Sequence, residues 1–171
     1  VEFKSFHGNK SAQGTLAFHW ARMIEMLHCV EEIKNLLLSP DILNTDLMAT
    51  GQRTGEGIGV IEAPRGTLIH HYQVDDDDLV TMANLIVSTT HNNQAMNESI
   101  RQVAQHYLNG KTLTEGLLNH IEVAIRAYDP CLSCATHALG KMPLRLELCQ
   151  ADGTLIEVLH KNSDGKVSRL S

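Results

Sequence analysis

From Thr15 to Leu38, apolar and half-apolar side chains recur at every third and fourth position: Leu16, His19, Trp20, Met23, Leu27, Val30, Ile33 and Leu37. That spacing commits the segment to one long helix with a broad apolar stripe, because an alternating strand would need every second residue. Glu25, Glu31, Glu32 and Lys34 fall mainly outside the stripe, and Ser39-Pro40 stops the helix. The rest of the chain is punctuated more finely. Residues 1–13 are polar and read as a loop, and residues 41–50 allow a short second helical turn. A glycine-rich approach, Gly51 to Gly57, leads into a hairpin: Ile58 to Ala63, a bend at Pro64-Arg65-Gly66, then the β-prone arm Thr67 to Val74. Leu79 to Thr90 is strand-like at its apolar centre. Helices are predicted from His91 to Leu108, ended by Asn109-Gly110, and from Thr112 to Tyr128, with Thr112 and Glu115 as a capping box. Asp129-Pro130 closes the second of these. Pro143 to Cys149 and Thr154 to His160 read as two strands joined at Ala151-Asp152-Gly153, followed by a polar tail, 161–171. The class is mostly α with small β-hairpins, an α+β chain.

Composition excludes several functions. At 171 residues the length suits one domain with at most a small appendage, and 43% apolar residues suffice for a core. Acids outnumber bases, 20 to 14, which argues against a nucleic-acid binder. No apolar run reaches the roughly 18 residues of a membrane span, and Val1-Glu2-Phe3-Lys4 opens no signal pattern. The four cysteines, Cys29, Cys131, Cys134 and Cys149, are too sparse for a secreted disulfide scaffold and suit a reducing, cytoplasmic compartment.

The local chemistry concentrates in two places. In Asp129-Pro130-Cys131-Leu132-Ser133-Cys134-Ala135-Thr136-His137, two soft thiolates three apart can bind one metal ion or two adjacent ones, with His137 in reach. A structural zinc site would need two more ligands, and a thioredoxin-like pair would follow a strand. Spacing alone leaves metal, redox and incidental readings open. In Glu62-Ala63-Pro64-Arg65-Gly66, a rigid bend projects a permanently charged guanidinium with five donors. It either polarises a ligand or decorates a hairpin tip. Glu62 beside it could relay protons. The acidic run Asp75 to Asp78 reads as a solvated turn rather than a metal site. His19, His28, His106, His120 and His160 read as surface or structural, and His71 and His91 as polar packing groups.

Taken in order, the two elements resemble the late signatures of the nickel–iron hydrogenase large subunit. These are a Pro-Arg-Gly element followed by a His, here Pro64-Arg65-Gly66-Thr67-Leu68-Ile69-His70, and a closing Asp-Pro-Cys-X-X-Cys-X-X-His, here Asp129 to His137. Thr89-Thr90-His91-Asn92-Asn93 and the helix around Phe18-His19-Trp20-Ala21-Arg22 also fit, most like the soluble, NAD-linked bidirectional group. The resemblance implies the C-terminal part of that large-subunit fold and a nickel–iron centre whose iron carries cyanide and carbon monoxide. It implies heterolytic, reversible cleavage of dihydrogen with electrons passed to a soluble carrier such as NAD. By residue, it makes Cys131 a terminal nickel ligand and proton acceptor, and Cys134 the bridge to iron. It sets Arg65 over the open position, Ala63 and Pro64 along the diatomic ligands, and Thr89 as a hydrogen-bond donor to one cyanide. His70 supports the site from behind, and His137 ends the mature chain, with magnesium nearby. Implied partners are a maturation endopeptidase, an NAD-linked diaphorase module and an iron–sulfur small subunit.

Two departures qualify this. The early Arg-X-Cys-Gly-X-Cys motif that completes the four-thiolate set is missing, and Cys29, mid-helix, has no partner three away. The expectation is a C-terminal portion of a longer polypeptide, inactive alone, an expectation with which the missing initiator Met agrees. Residues 138–171 extend beyond His137, so the domains divide as 1–137, hydrogenase-like, and 138–171, an extension removed on maturation. The rival readings are a zinc-binding interaction module and a non-catalytic hydrogenase-like subunit.

Overall fold

The computed structural model describes residues 2–6, 8, 10–12, 14–110, 112–130 and 142–170. The chain divides into two compact units, Val1–Val87 and Ser88–Ser171, each with its own three-stranded sheet.

The first unit opens with a five-residue helix, α1 (Glu2–Phe6), where a loop is expected. The aromatic rings of Phe3 and Phe6 meet Trp20 edge-on, with centroids 5.1 and 5.6 Å away, which gives this short turn a surface to settle on. Helix α2 (Ala17–Leu37) follows as the periodicity requires. Its apolar residues are not gathered into a buried stripe: Met23, Leu27, Val30, Ile33 and Leu37 are all more than half exposed. A 3₁₀ turn, Pro40–Leu43, occupies part of the second helical stretch, capped by Ser39. Then β1 (Glu56–Ala63), β2 (Gly66–Val74) and β3 (Val80–Ile86) form an antiparallel meander with β2 in the centre. The β2–β3 turn is the acidic run. Its Asp75 carboxylate accepts the backbone N–H groups of Asp77 and Leu79, and Arg53 donates to Asp78 at 2.7 Å. The four aspartates thus build a turn.

The second unit holds the core. Among the described residues every buried side chain lies in Ser88–Ser171. Helix α3 (Ser88–Tyr107) begins three residues before the expected His91, because the strand ends at Ile86 and buried Ser88 already sits in the first turn. Helix α4 (Glu115–Tyr128) is amphipathic and packs Leu117, Leu118 and Ile121 inward. The sheet β4 (Leu144–Cys149), β5 (Leu155–Lys161) and β6 (Val167–Leu170) covers it, with Leu159 at the centre and Leu144, Leu146, Leu148 and Val167 around it. Burying each such side chain contributes roughly 1.5–3 kcal/mol. Strand β6 falls in the tail expected to be merely polar. A turn at Asn162–Gly165 folds it back onto β5, from Val158↔Leu170 to Lys161↔Val167.

Candidate metal centre

The hairpin tip is fixed by register. Ala63 pairs with Gly66 across the last rung, so Pro64 and Arg65 alone make the turn. Gly66 has φ +128°, a conformation that a side chain strains, which explains glycine after the arginine. Arg65 is half-buried at the point of tightest curvature. Behind it, Ala63 and Pro64 line an open, largely apolar cavity of about 590 Å³, shared with Arg22, Met26 and Cys29 of α2 and with Glu62 of β1.

His70 lies mid-strand on β2, opposite Gly59 and Leu85. Its Nδ1 is 3.1 Å from the Tyr72 hydroxyl, and the two rings meet edge-to-face at 5.7 Å. The alternation of the strand puts His71 on the other face, where its Nε2 is 2.6 Å from Glu56 Oε1. That contact, with the Gln73 amide, holds the Glu56 carboxyl below its ordinary range. Thr89 is half-buried in the first turn of α3, in the second unit. Arg65, Ala63, Pro64 and His70 therefore share one hairpin, while Thr89 belongs to the other unit.

Cys131, Cys134 and His137 lie outside the described residues; what precedes them is well anchored. Helix α4 ends in the left-handed residue Asp129 (φ +47°), followed by buried Pro130. Buried Tyr128 ties this end to α3: its hydroxyl donates to the Ala95 carbonyl at 3.1 Å and lies 2.8 Å from the Ser99 hydroxyl. Tyr128 is a functional candidate that sequence reading passes over. The signal available was a lone tyrosine at a helix end, three residues before Cys131.

Among the described residues, no three His, Cys, Asp or Glu side chains gather in a way that could hold a metal ion. Cys29 and Cys149 are exposed free thiols on α2 and β4. The chemistry of the Cys131–Cys134 pair in the sequence fits half of a thiolate-ligated centre, and the described residues of the first unit contribute a half-buried guanidinium and an apolar cavity.

Comparison with known proteins gives the family. The family model described as nickel-dependent hydrogenase matches residues 5–137. The chain is 52% identical over 159 residues to "NAD-reducing hydrogenase HoxS subunit beta" of Cupriavidus necator, covering 91% of this chain and 33% of that one. It is 47% identical over 147 residues to a subunit of the F420-non-reducing hydrogenase of Archaeoglobus profundus, covering 84% and 30%. It superposes on a solved NAD+-reducing [NiFe]-hydrogenase in the H2-reduced state with a TM-score of 0.72 and 62% identity, over 80% of this chain and 30% of that one. The chain spans about a third of the length of the curated relatives it matches. The fold, the Pro-Arg-Gly hairpin and the extent of these matches together show that the chain belongs to the nickel-dependent hydrogenase family.

Proposed function

We propose that this chain is the C-terminal portion of the catalytic subunit of a nickel–iron hydrogenase, acting in reversible cleavage of dihydrogen with electrons passed to NAD. The observation that carries the reading is the half-buried guanidinium of Arg65, set by a two-residue turn beside an apolar cavity, in a chain whose family match ends at the last residue of the Cys-X-X-Cys-X-X-His motif. When bound, a nickel–iron centre with cyanide and carbon monoxide on its iron supplies the electron-rich metals that split dihydrogen heterolytically.

The residues of this chain would do the following. Cys131 and Cys134 hold the metals as thiolates, which suit soft, low-valent ions. The Cys131 sulfur takes up the proton. Arg65, charged at every working pH, fixes the field at the reacting position without itself titrating. Ala63 and Pro64 keep water from the diatomic ligands, and the Thr89 hydroxyl donates to one of them. His70, oriented by Tyr72, steadies the hairpin face, and His137 ends the mature chain next to a magnesium ion. The missing thiolates come from the remaining two-thirds of the catalytic polypeptide. A diaphorase module and an iron–sulfur small subunit carry electrons to NAD in the cytoplasm, while an endopeptidase removes residues 138–171. No helix among the described residues is long and apolar enough to cross a membrane.

Elemental analysis of the assembled complex tests this. The expected result is nickel and iron in the native protein and loss of nickel in Cys131→Ser. Zinc alone, or no metal, would overturn it in favour of an interaction module or a non-catalytic subunit.

A further inference from the structure

The segment expected to be discarded is built into the second unit as firmly as any part of it. Met142, at the threshold of β4, is buried, and Val158 and Leu159 of β5 are 4% and 3% exposed. Leu159 completes the cluster formed by Leu113, Leu117, Leu118 and Ile121. Two charged contacts then cross from the sheet to the helical part. Lys161 Nζ donates to Glu122 Oε2 at 2.6 Å, with both side chains about nine-tenths buried. Glu157, equally buried, accepts the Leu113 backbone N–H at 2.7 Å and pairs with Arg169 Nε at 3.0 Å. Arg169 in turn donates to the Leu113 carbonyl at 2.7 Å. Both backbone polar groups of Leu113 are therefore satisfied by side chains from residues 157 and 169.

We propose that the face formed by Leu113 and α4 is a docking surface for the chain's own severed C-terminal segment, so that cleavage beyond His137 leaves residues 142–170 bound. This rests on the reading that residues 138–171 are removed on maturation. Hydrolysis of the His137–Ala138 bond consumes one water and leaves a carboxylate on His137 and an ammonium group on Ala138. None of the contacts above involves either group. The covalent cut and the departure of the tail are consequently two separate events. The second requires the Glu122–Lys161 contact and the bonds of Glu157 and Arg169 to the Leu113 backbone to be displaced and the apolar cluster to be opened. Opening the buried Glu122–Lys161 pair leaves that carboxylate with Arg126 alone, so the pair acts as a latch.

The test uses the full chain with a site-specific protease sequence inserted between Ala138 and Leu139 and a tag after Ser171, kept monodisperse in mild detergent. After complete cutting at neutral pH, the tagged peptide is expected to co-elute with residues 1–138 on gel filtration. A peptide that elutes alone overturns the proposal. Lys161→Met is expected to weaken retention at least roughly tenfold, and Lys166→Met, whose exposed ammonium pairs with Asp164 within the tail, to leave it unchanged. Equal retention in both variants would overturn the assignment of the latch. If the cut or a variant disturbs folding, hydrogen exchange at the Leu113 amide in uncut native chain gives an independent reading: protection supports the docked arrangement, and free exchange overturns it. The mass of the matured protein separately reports whether the tail is removed at all, so the two readings fail independently.

Discussion

Arg65 shows what one side chain can contribute once its turn is fixed. A lysine there would keep the charge and lose the planar fork of donors, so the two residues are not equivalent where direction matters. Arg65→Lys in the assembled complex is expected to lower dihydrogen uptake by about 100-fold while nickel content stays constant. Unchanged uptake would return Arg65 to the role of a hairpin ornament. Tyr128 makes the opposite kind of contribution, holding rather than reacting. Tyr128→Phe removes both hydroxyl contacts to α3 and is expected to cost about 1 kcal/mol, seen as a lower unfolding midpoint. The arginine was legible in the sequence because Pro and Gly bracket it. The tyrosine was not, because its partners, Ala95 and Ser99, lie some thirty positions earlier and carry no motif.

At the scale of elements, the long helix and the Pro-Arg-Gly hairpin are where the sequence puts them, since each is decided locally. The start of α4 is not. Thr112 with Glu115 has the spacing of a capping box, yet Thr114 is the cap: its backbone is extended and its hydroxyl accepts the Leu117 N–H at 3.1 Å. The reason lies outside the segment. Glu157 and Arg169 bond the backbone N–H and carbonyl of Leu113 from the sheet, and the helix starts only after it. Strand β6 was missed for the same reason, since four residues, three of them exposed, show no pattern until a partner strand lies beside them.

The tail sheet also carries a pH signature. Burial pushes the Glu122 pKa up, but the hydrogen bonds from Lys161 and Arg126 more than offset it, and the carboxyl titrates below its ordinary 4.5. A depressed carboxylate stabilises the fold fully above that ordinary value, and this contribution is lost as pH falls through the depressed one. Denaturant midpoints of native chain and Glu122→Gln should therefore differ most at neutral pH and converge in acid. Glu98, held to about 2 by Arg101 and Gln102, titrates in the same direction in both proteins and drops out of the comparison.

For the whole molecule, the contrast between units is the main fact. The second has a closed core, while α2 and β1 of the first leave Met23, Leu27, Val30, Ile33, Ile58 and Val60 exposed. A helix with so broad an apolar stripe belongs against an interior. In the proposed setting, the remaining two-thirds of the catalytic polypeptide supplies that interior. The isolated chain is expected to bind a hydrophobic dye strongly and self-associate, and co-expression with the missing portion to suppress both. A dye-silent monomer would contradict this. The motifs made the family legible, but this exposure was not, because a stripe looks the same in sequence whether or not its cover is present.

Glu122 sits between two cations of different origin. Lys161 reaches it from β5, and Arg126 donates to its other oxygen at 2.8 Å from one turn further along α4. When the strand departs, one positive charge goes with it and the other stays behind. The acid is never abandoned in the interior with no counter-ion, so a chain wired in this way can shed its last strands and keep its last helix.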